Sequence, residues 1–273
     1  MAAYEGYSAL SVGLADGVAH VRIANPPVNL FDLALYPEMV RVSDQLRDDA
    51  DVRAVVLSSS TPGFFIAHFD VSLILTLPTD MGRPPRLSDF DRMCENFRTM
   101  PKPTIAAIDG RVGGGGSELT LACDMRFASP RAVFNQPEVA LGILPGGGGT
   151  VRLPRLIGRN RALETVLGGE DIDATTAESW GWVNRVVADP VAHSLALAAR
   201  IATFPPNAVR EAKASVLRND TGVEDALLEE SAGFNRLLGD PRARTAMTRF
   251  LERGGQTVEG ESRLGQLAGE LGD

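Results

Sequence analysis

The sequence predicts an α/β fold with largely parallel strand pairing. Three apolar runs carry this expectation: RAVVLSSS at 53–60, TIAAIDG at 104–110 and MRFAS at 125–129 read as buried strands that run into loops. Segments with helical spacing alternate with them, and after about residue 191 only helical patterns remain.

In chain order, GVAHVRI at 17–23 alternates Ala19, Val21 and Ile23 with His20 and Arg22, the pattern of a half-buried strand that turns His20 to solvent. After the breaker ANPPVN, Leu35, Met39, Val42 and Leu46 recur at helical spacing, with Asp32 placed to cap the helix. LPTDMGRPPRLS at 77–88 is a polar, proline-rich loop of a kind that often carries function. PPNAVREAKASVL, VEDALLEESAGFNRLL and PRARTAMTRFLER are successive helices, the last with Asp240 as cap and Pro241 at its first position. The closing stretch GGQTVEGESRLGQLAGELGD follows two glycines and reads as a loose appendage. The expected organisation is a core over 1–200, a helical region over 201–253 and a flexible tail over 254–273, without solenoid repeats.

Bulk properties narrow the function. The 273 residues are 44% apolar and 23% charged, which is ordinary for a globular chain able to bury a core. With 27 basic against 35 acidic side chains the formal charge is −8, which argues against a nucleic-acid surface and leaves any anionic ligand to local basic residues. No apolar stretch approaches the ~20 residues that cross a bilayer, and MAAYEGYSAL lacks the basic and apolar regions of a leader. A soluble protein with no membrane association is expected. Two cysteines, Cys94 and Cys123, are too few for a disulfide framework, so reduced thiols and a cytoplasmic location are expected. His20, His68 and His193 show no zinc-ligand spacing, so no metal is expected.

The sharpest feature is GRVGGGGSEL at 110–119, four consecutive glycines ahead of Glu118. Glycine is entropically costly, so such a run needs positive φ or close backbone approach. A P-loop would need Lys after its last glycine, and neither GGGGSEL nor PGGGGTVRL has one. The dinucleotide fingerprint fails because Glu118 and Val151 stand where its last glycine belongs. The nucleophile elbow fails because Ser117 is followed by Glu118 and Leu119. What survives is a loop whose N–H groups face a ligand at the start of a helix, the specification of an oxyanion hole. The alternative is tight strand-to-helix packing with no chemistry. Twenty residues on, FNQPEVALGILPGGGGTVRLPRLIG sets Glu138 beside a second glycine cluster. Taken singly, either glutamate is an ordinary surface residue; together beside two glycine turns they form a candidate acid and base pair around one water.

The blocks G-G-G-x-E-L and Q-P-E-x-x-x-G-x-x-P-G-x-G-G-T, in this order and spacing, resemble the crotonase, or enoyl-CoA hydratase/isomerase, superfamily. The resemblance runs from VRIANPPVN to about residue 253. It implies a crotonase-like spiral of ββα units with a C-terminal helical region, assembled as a homotrimer or as a hexamer, a dimer of trimers. It also implies an acyl-CoA thioester as substrate, with coenzyme A part of that substrate and no other cofactor. By position, the oxyanion-hole amides fall on Phe69 and Gly115, and the catalytic carboxylates on Glu118 and Glu138. Gly146 falls on the water-seating position, and Ala67, Phe250 and Arg253 on CoA-binding positions. The implied reaction is hydration of a 2-enoyl-CoA; double-bond isomerisation through Glu138, or acyl-CoA binding without turnover, are the alternatives. Three departures stand out. His68 occupies the glycine position of the family's A-G-x-D run, ANPPVNLFD lacks the basic residue many hydratases carry, and Phe69 is bulkier than the common Ala.

Overall fold

Through the middle of the chain, successive strands fall alternately into two sheets. In the computed structural model, which describes residues 4–272, the strands are β1 (Leu10–Ala15), β2 (Val18–Ile23), β3 (Ala54–Ser59), β4 (Phe64–Ile66) and β5 (Thr104–Ile108). They continue as β6 (Arg111–Gly113), β7 (Met125–Ala128), β8 (Val133–Asn135), β9 (Ile172–Asp173) and β10 (Arg185–Val186). The larger sheet has the order β1-β2-β3-β5-β7-β10 and the smaller β4-β6-β8-β9. Pairing is parallel except in the β1–β2 hairpin and between β8 and β9. From β3 to β8 each turn of chain therefore adds one strand to each sheet before a helix returns it, the expected spiral of ββα units.

The helices are α1 (Leu35–Asp48), α2 (Val71–Ile74), α3 (Asp89–Thr99), α4 (Gly114–Ala122), α5 (Gly149–Ile157), α6 (Arg159–Gly168) and α7 (Ala174–Trp180). Beyond them lie α8 (Pro190–Ala202), α9 (Pro206–Leu217), α10 (Val223–Leu238), α11 (Pro241–Glu252), α12 (Val258–Glu261) and α13 (Leu264–Gly269). In α1 the stripe Leu35, Met39, Val42 and Leu46 is wholly buried, and Asp32 Oδ1 accepts from the amides of Ala34 and Leu35. Asp240 likewise accepts from the Arg242 amide ahead of Pro241 at the start of α11. No helix among the described residues is long and apolar enough to cross a membrane.

Two expectations are corrected. His20 does not face open solvent: α8 packs on that side of the larger sheet, and His20 Nε2 lies 2.7 Å from Ser58 Oγ. Burial accordingly lowers its pKa. The 254–273 stretch is not a loose appendage either. Over its described part, α13 and the turn after it pack against α11 and the 138–141 turn, where Leu264, Leu267 and Leu271 join Leu141, Met247 and Phe250 in one apolar cluster. Their spacing of three and four is helical, but the intervening glycines and the shortness of the helices obscured it. Leu267 is fully buried, so Leu267→Ala is expected to cost about 2–5 kcal/mol. An unchanged urea midpoint would restore the loose tail.

Candidate active site

The glycine run begins α4 directly after β6, and it meets both requirements that such a run can have. Gly114 adopts φ +43°, and a Cβ there would stand 2.9 Å from both Glu138 Oε1 and the His68 Cβ. A Cβ on Gly116 would stand 2.3 Å from the Ile66 carbonyl oxygen, so α4 packs against β4 backbone to backbone. Tight packing and an open helix start coexist in the same four residues, since Gly115 lies between these contacts and lines a cavity.

Phe69 faces the same cavity from the loop after β4. It is bridged in parallel to Phe31, whose N–H donates to the His68 carbonyl at 3.0 Å and whose carbonyl accepts from the Asp70 N–H at 3.1 Å. In such a bridge the intervening amide points to the opposite side. The Phe69, Gly115 and Gly146 amides donate to no protein group among the described residues. The Phe69 ring is drawn into an aromatic wall, with centroids 5.2 Å from Tyr36 and 6.1 Å from Phe90.

Both sequence-selected glutamates open on this cavity of about 550 Å³. Glu118 Oε1 accepts from Gly147 N–H at 2.8 Å and Gly149 N–H at 2.9 Å. Burial raises its pKa to about 7, with these two amides pulling the other way. Glu138, at the start of a short 3-10 turn over Glu138–Leu141, has its Oε2 buried without a partner. Burial, reinforced by the charge of Glu118, holds its pKa well above the usual carboxylate range. The two pKa values are pushed apart because Glu118 has two loop amides to stabilise its anion, whereas Glu138 has only its own.

The sequence did not single out Glu230 of α10. Its carboxylate accepts from Gly148 N–H at 2.6 Å and Thr150 N–H at 2.8 Å, so successive amides from Gly147 to Thr150 go alternately to Glu118 and Glu230. Burial, then the Glu118 charge, raises its pKa to about 8. A signal was present: Val223, Leu227, Glu230 and Phe234 form one helical stripe in which a carboxylate takes an apolar position. The 77–88 loop also reaches the cavity, bringing Leu77, Met81 and the exposed Arg86.

Of the positions matched to CoA contacts, Phe250 lines the same cavity, whereas Ala67 and Arg253 do not. Phe250 is an interior aromatic, 1% exposed, with its ring 5.7 Å from that of His68. Arg253 is exposed at the end of α11, its guanidinium donating to the Glu270 carbonyl. Ala67 is buried and donates to the Val28 carbonyl at 3.1 Å. His68 avoids positive φ, so it carries none of the strain that its place in a glycine position would imply.

A cavity that joins free amides to a pair of buried carboxylates, on a spiral of ββα units, defines a class that comparison with known proteins identifies. The family model described as Enoyl-CoA hydratase/isomerase matches residues 13–261, and the chain belongs to that family. It is 34% identical over 247 residues to the short-chain-enoyl-CoA hydratase of Clostridium acetobutylicum, covering 89% of this chain and 94% of that one. It is 39% identical over 187 residues to a glyoxysomal fatty acid beta-oxidation multifunctional protein of Cucumis sativus, spanning 67% of this chain and 25% of that protein. Among solved structures, a candidate enoyl-CoA hydratase of Streptomyces avermitilis superposes with a TM-score of 0.88 at 35% identity, over 98% of this chain and 99% of that one.

The raised carboxyl pKa values set a sign for stability. The folded chain keeps protons on Glu118 and Glu230 up to about 7 and about 8, whereas the unfolded chain releases them near 4.5. Between those limits the unfolded state binds fewer protons, so stability falls as pH rises. The urea midpoint is expected to drop from pH 5.5 to pH 8.5, and to drop less in Glu230→Gln. A midpoint that rises over this interval would contradict the burial.

Proposed function

We propose that the protein is an enoyl-CoA hydratase that adds water across the 2,3 double bond of an acyl-CoA thioester. The observation that carries this reading is the convergence of Glu118, Glu138 and the unpaired amides of Phe69 and Gly115 on one largely apolar cavity. The two amides would accept the thioester oxygen as negative charge develops on it, where preorganised donors act most strongly. Glu118, with Oε1 held by two amides, offers Oε2 to a water molecule that the Gly146 amide also meets. It takes the water's proton as the oxygen attacks C3. Glu138, kept protonated by burial, then delivers a proton to C2. An ionised carboxylate beside a neutral one is the condition for such a pair.

The CoA moiety enters as part of the substrate, with no further cofactor. Contacts from Ala67, Phe250 and Arg253 belong to this proposal, and Arg86 supplies a cation that the 24–32 stretch lacks. Assembly as a homotrimer or hexamer is part of the same reading, supported by the exposed Leu163 and Leu167 on α6 and Val216 on α9. A cytoplasmic location is proposed on the strength of the two unpaired cysteines.

Hydration of crotonyl-CoA, followed by loss of the enone absorbance, tests the mechanism. Glu118→Gln and Glu138→Gln are each expected to lower kcat by about 10²–10⁴-fold with little change in KM. Loss confined to Glu138→Gln, with turnover of a 3-enoyl-CoA retained by Glu118→Gln, would replace hydration with isomerisation. CoA binding without turnover at any chain length would leave a binding protein.

A further inference from the structure

His68 lies beside the Phe69 amide, yet its side chain takes no part in the chemistry above. Its ring is 5% exposed, with Nδ1 2.7 Å from the Phe69 carbonyl oxygen and Nε2 3.0 Å from Glu261 Oε1. A carbonyl oxygen only accepts, so Nδ1 must donate. Glu261 Oε1 also receives the Gln256 N–H at 2.7 Å. Although burial opposes it, the His68 ring and this N–H hold the carboxyl below its usual pKa range, so Oε1 belongs to a carboxylate and accepts on both contacts. Both ring nitrogens therefore donate, and the ring is an imidazolium paired with a carboxylate that is itself 1% exposed.

The same C-terminal segment holds the next two residues of the loop. The Gln256 side chain accepts the Val71 N–H at 2.7 Å and donates to Asp70 Oδ1 at 3.0 Å. Gln256 has φ +68°, an unfavourable conformation for a non-glycine residue that persists only where surrounding bonds over-determine it. Phe31 grips the opposite edge of the loop through the His68 carbonyl and the Asp70 amide. The peptide units on both sides of Phe69 are thus held, one by Phe31 and the other by Phe31 together with the His68 ring.

We propose that His68 and Glu261 are positioning residues whose ion pair locks the 256–261 segment onto the Phe69–Val71 backbone, so that the Phe69 amide is aimed correctly only when that segment is docked. The proposal rests on the reading of Phe69 as an oxyanion donor. Besides Glu261 of α12, the groups around the ring are Asp70 at the start of α2, Glu138 across Gly114, the apolar Phe250 of α11, and Arg111 of β6 near Glu261. Burial alone would lower the imidazole pKa, but Glu261, the Phe69 carbonyl and Asp70 together outweigh it and the net shift is upward. The clamp therefore holds below the ordinary histidine range and is released as pH rises through the raised value. With Glu261 neutralised, burial is opposed only by the Phe69 carbonyl and Asp70, and release moves to lower pH.

Glu261→Gln and Gln256→Ala separate the electrostatic part of the clamp from the purely structural part. Both are expected to speed exchange of the Val71 amide, whose acceptor is the Gln256 side chain, and to lower kcat about 10- to 100-fold with KM within about threefold. Only Glu261→Gln is expected to move the alkaline limb of the kcat profile to lower pH, because Gln256→Ala leaves the ion pair in place. In the wild type, NMR is expected to show N–H signals from both His68 ring nitrogens. Wild-type kcat in both variants, or faster Val71 exchange with kcat unchanged, would overturn the proposal. A wild-type protein inert toward every 2-enoyl-CoA would instead sink the hydratase reading; the clamp would then be upheld or overturned by Val71 exchange and the ring signals.

Discussion

The site depends on one constraint: carboxylates are buried where little water reaches them, and main-chain N–H groups, joined at Glu230 by the Thr150 hydroxyl, must hold them. The Gly147–Thr150 segment meets this by offering four successive amides, two to Glu118 and two to Glu230. Arg152 fastens the same loop from behind through the Gly147 carbonyl and is itself held by Glu95. Glycine is required here by space, since a Cβ on Gly147 would stand 2.3 Å from the Phe90 ring and 2.7 Å from Glu118 Oε2. The loop consequently behaves as a rigid template for Glu118 rather than as a flexible lid.

Glu138 is the counterpart left without such support. Its unpartnered Oε2 is costly in a folded chain. That cost is the reason the group favours its protonated form, and a neutral acid beside a partly ionised base follows from the asymmetry of their donors. Two residues of similar chemistry thereby acquire different tasks from their surroundings alone. Glu230 adds to the effect at a distance, its charge opposing ionisation of Glu138 while its oxygens order the loop.

The cavity is closed by elements that are remote in sequence. The 77–88 loop is tied to α10 by Arg83 through Asp225 and Glu229, and the C-terminal helices reach back to the loop after β4. The oxyanion loop is therefore supported from α1's leading segment on one side and from the last helices on the other. A local fold of ββα units supplies the frame, and contacts at separations of more than a hundred residues complete it.

Much of this was legible in the chain itself. Apolar runs long enough to show periodicity located β2, β3, β5 and β7, and the glycine clusters marked where backbone must approach backbone or ligand, which picked out Glu118 and Glu138. Those features are local: a strand's burial or a glycine's freedom is written in its immediate neighbours. The short strands β4, β6 and β8, each of three residues, were invisible because three residues cannot establish a period. Spacing marked Glu230 on an apolar stripe and the tail leucines as helical, but the partners of Glu230, the His68–Glu261 pair and the docking of the tail were decided only by tertiary structure, because a buried charge is explained by partners that folding brings to it, and no spacing along the chain encodes that meeting.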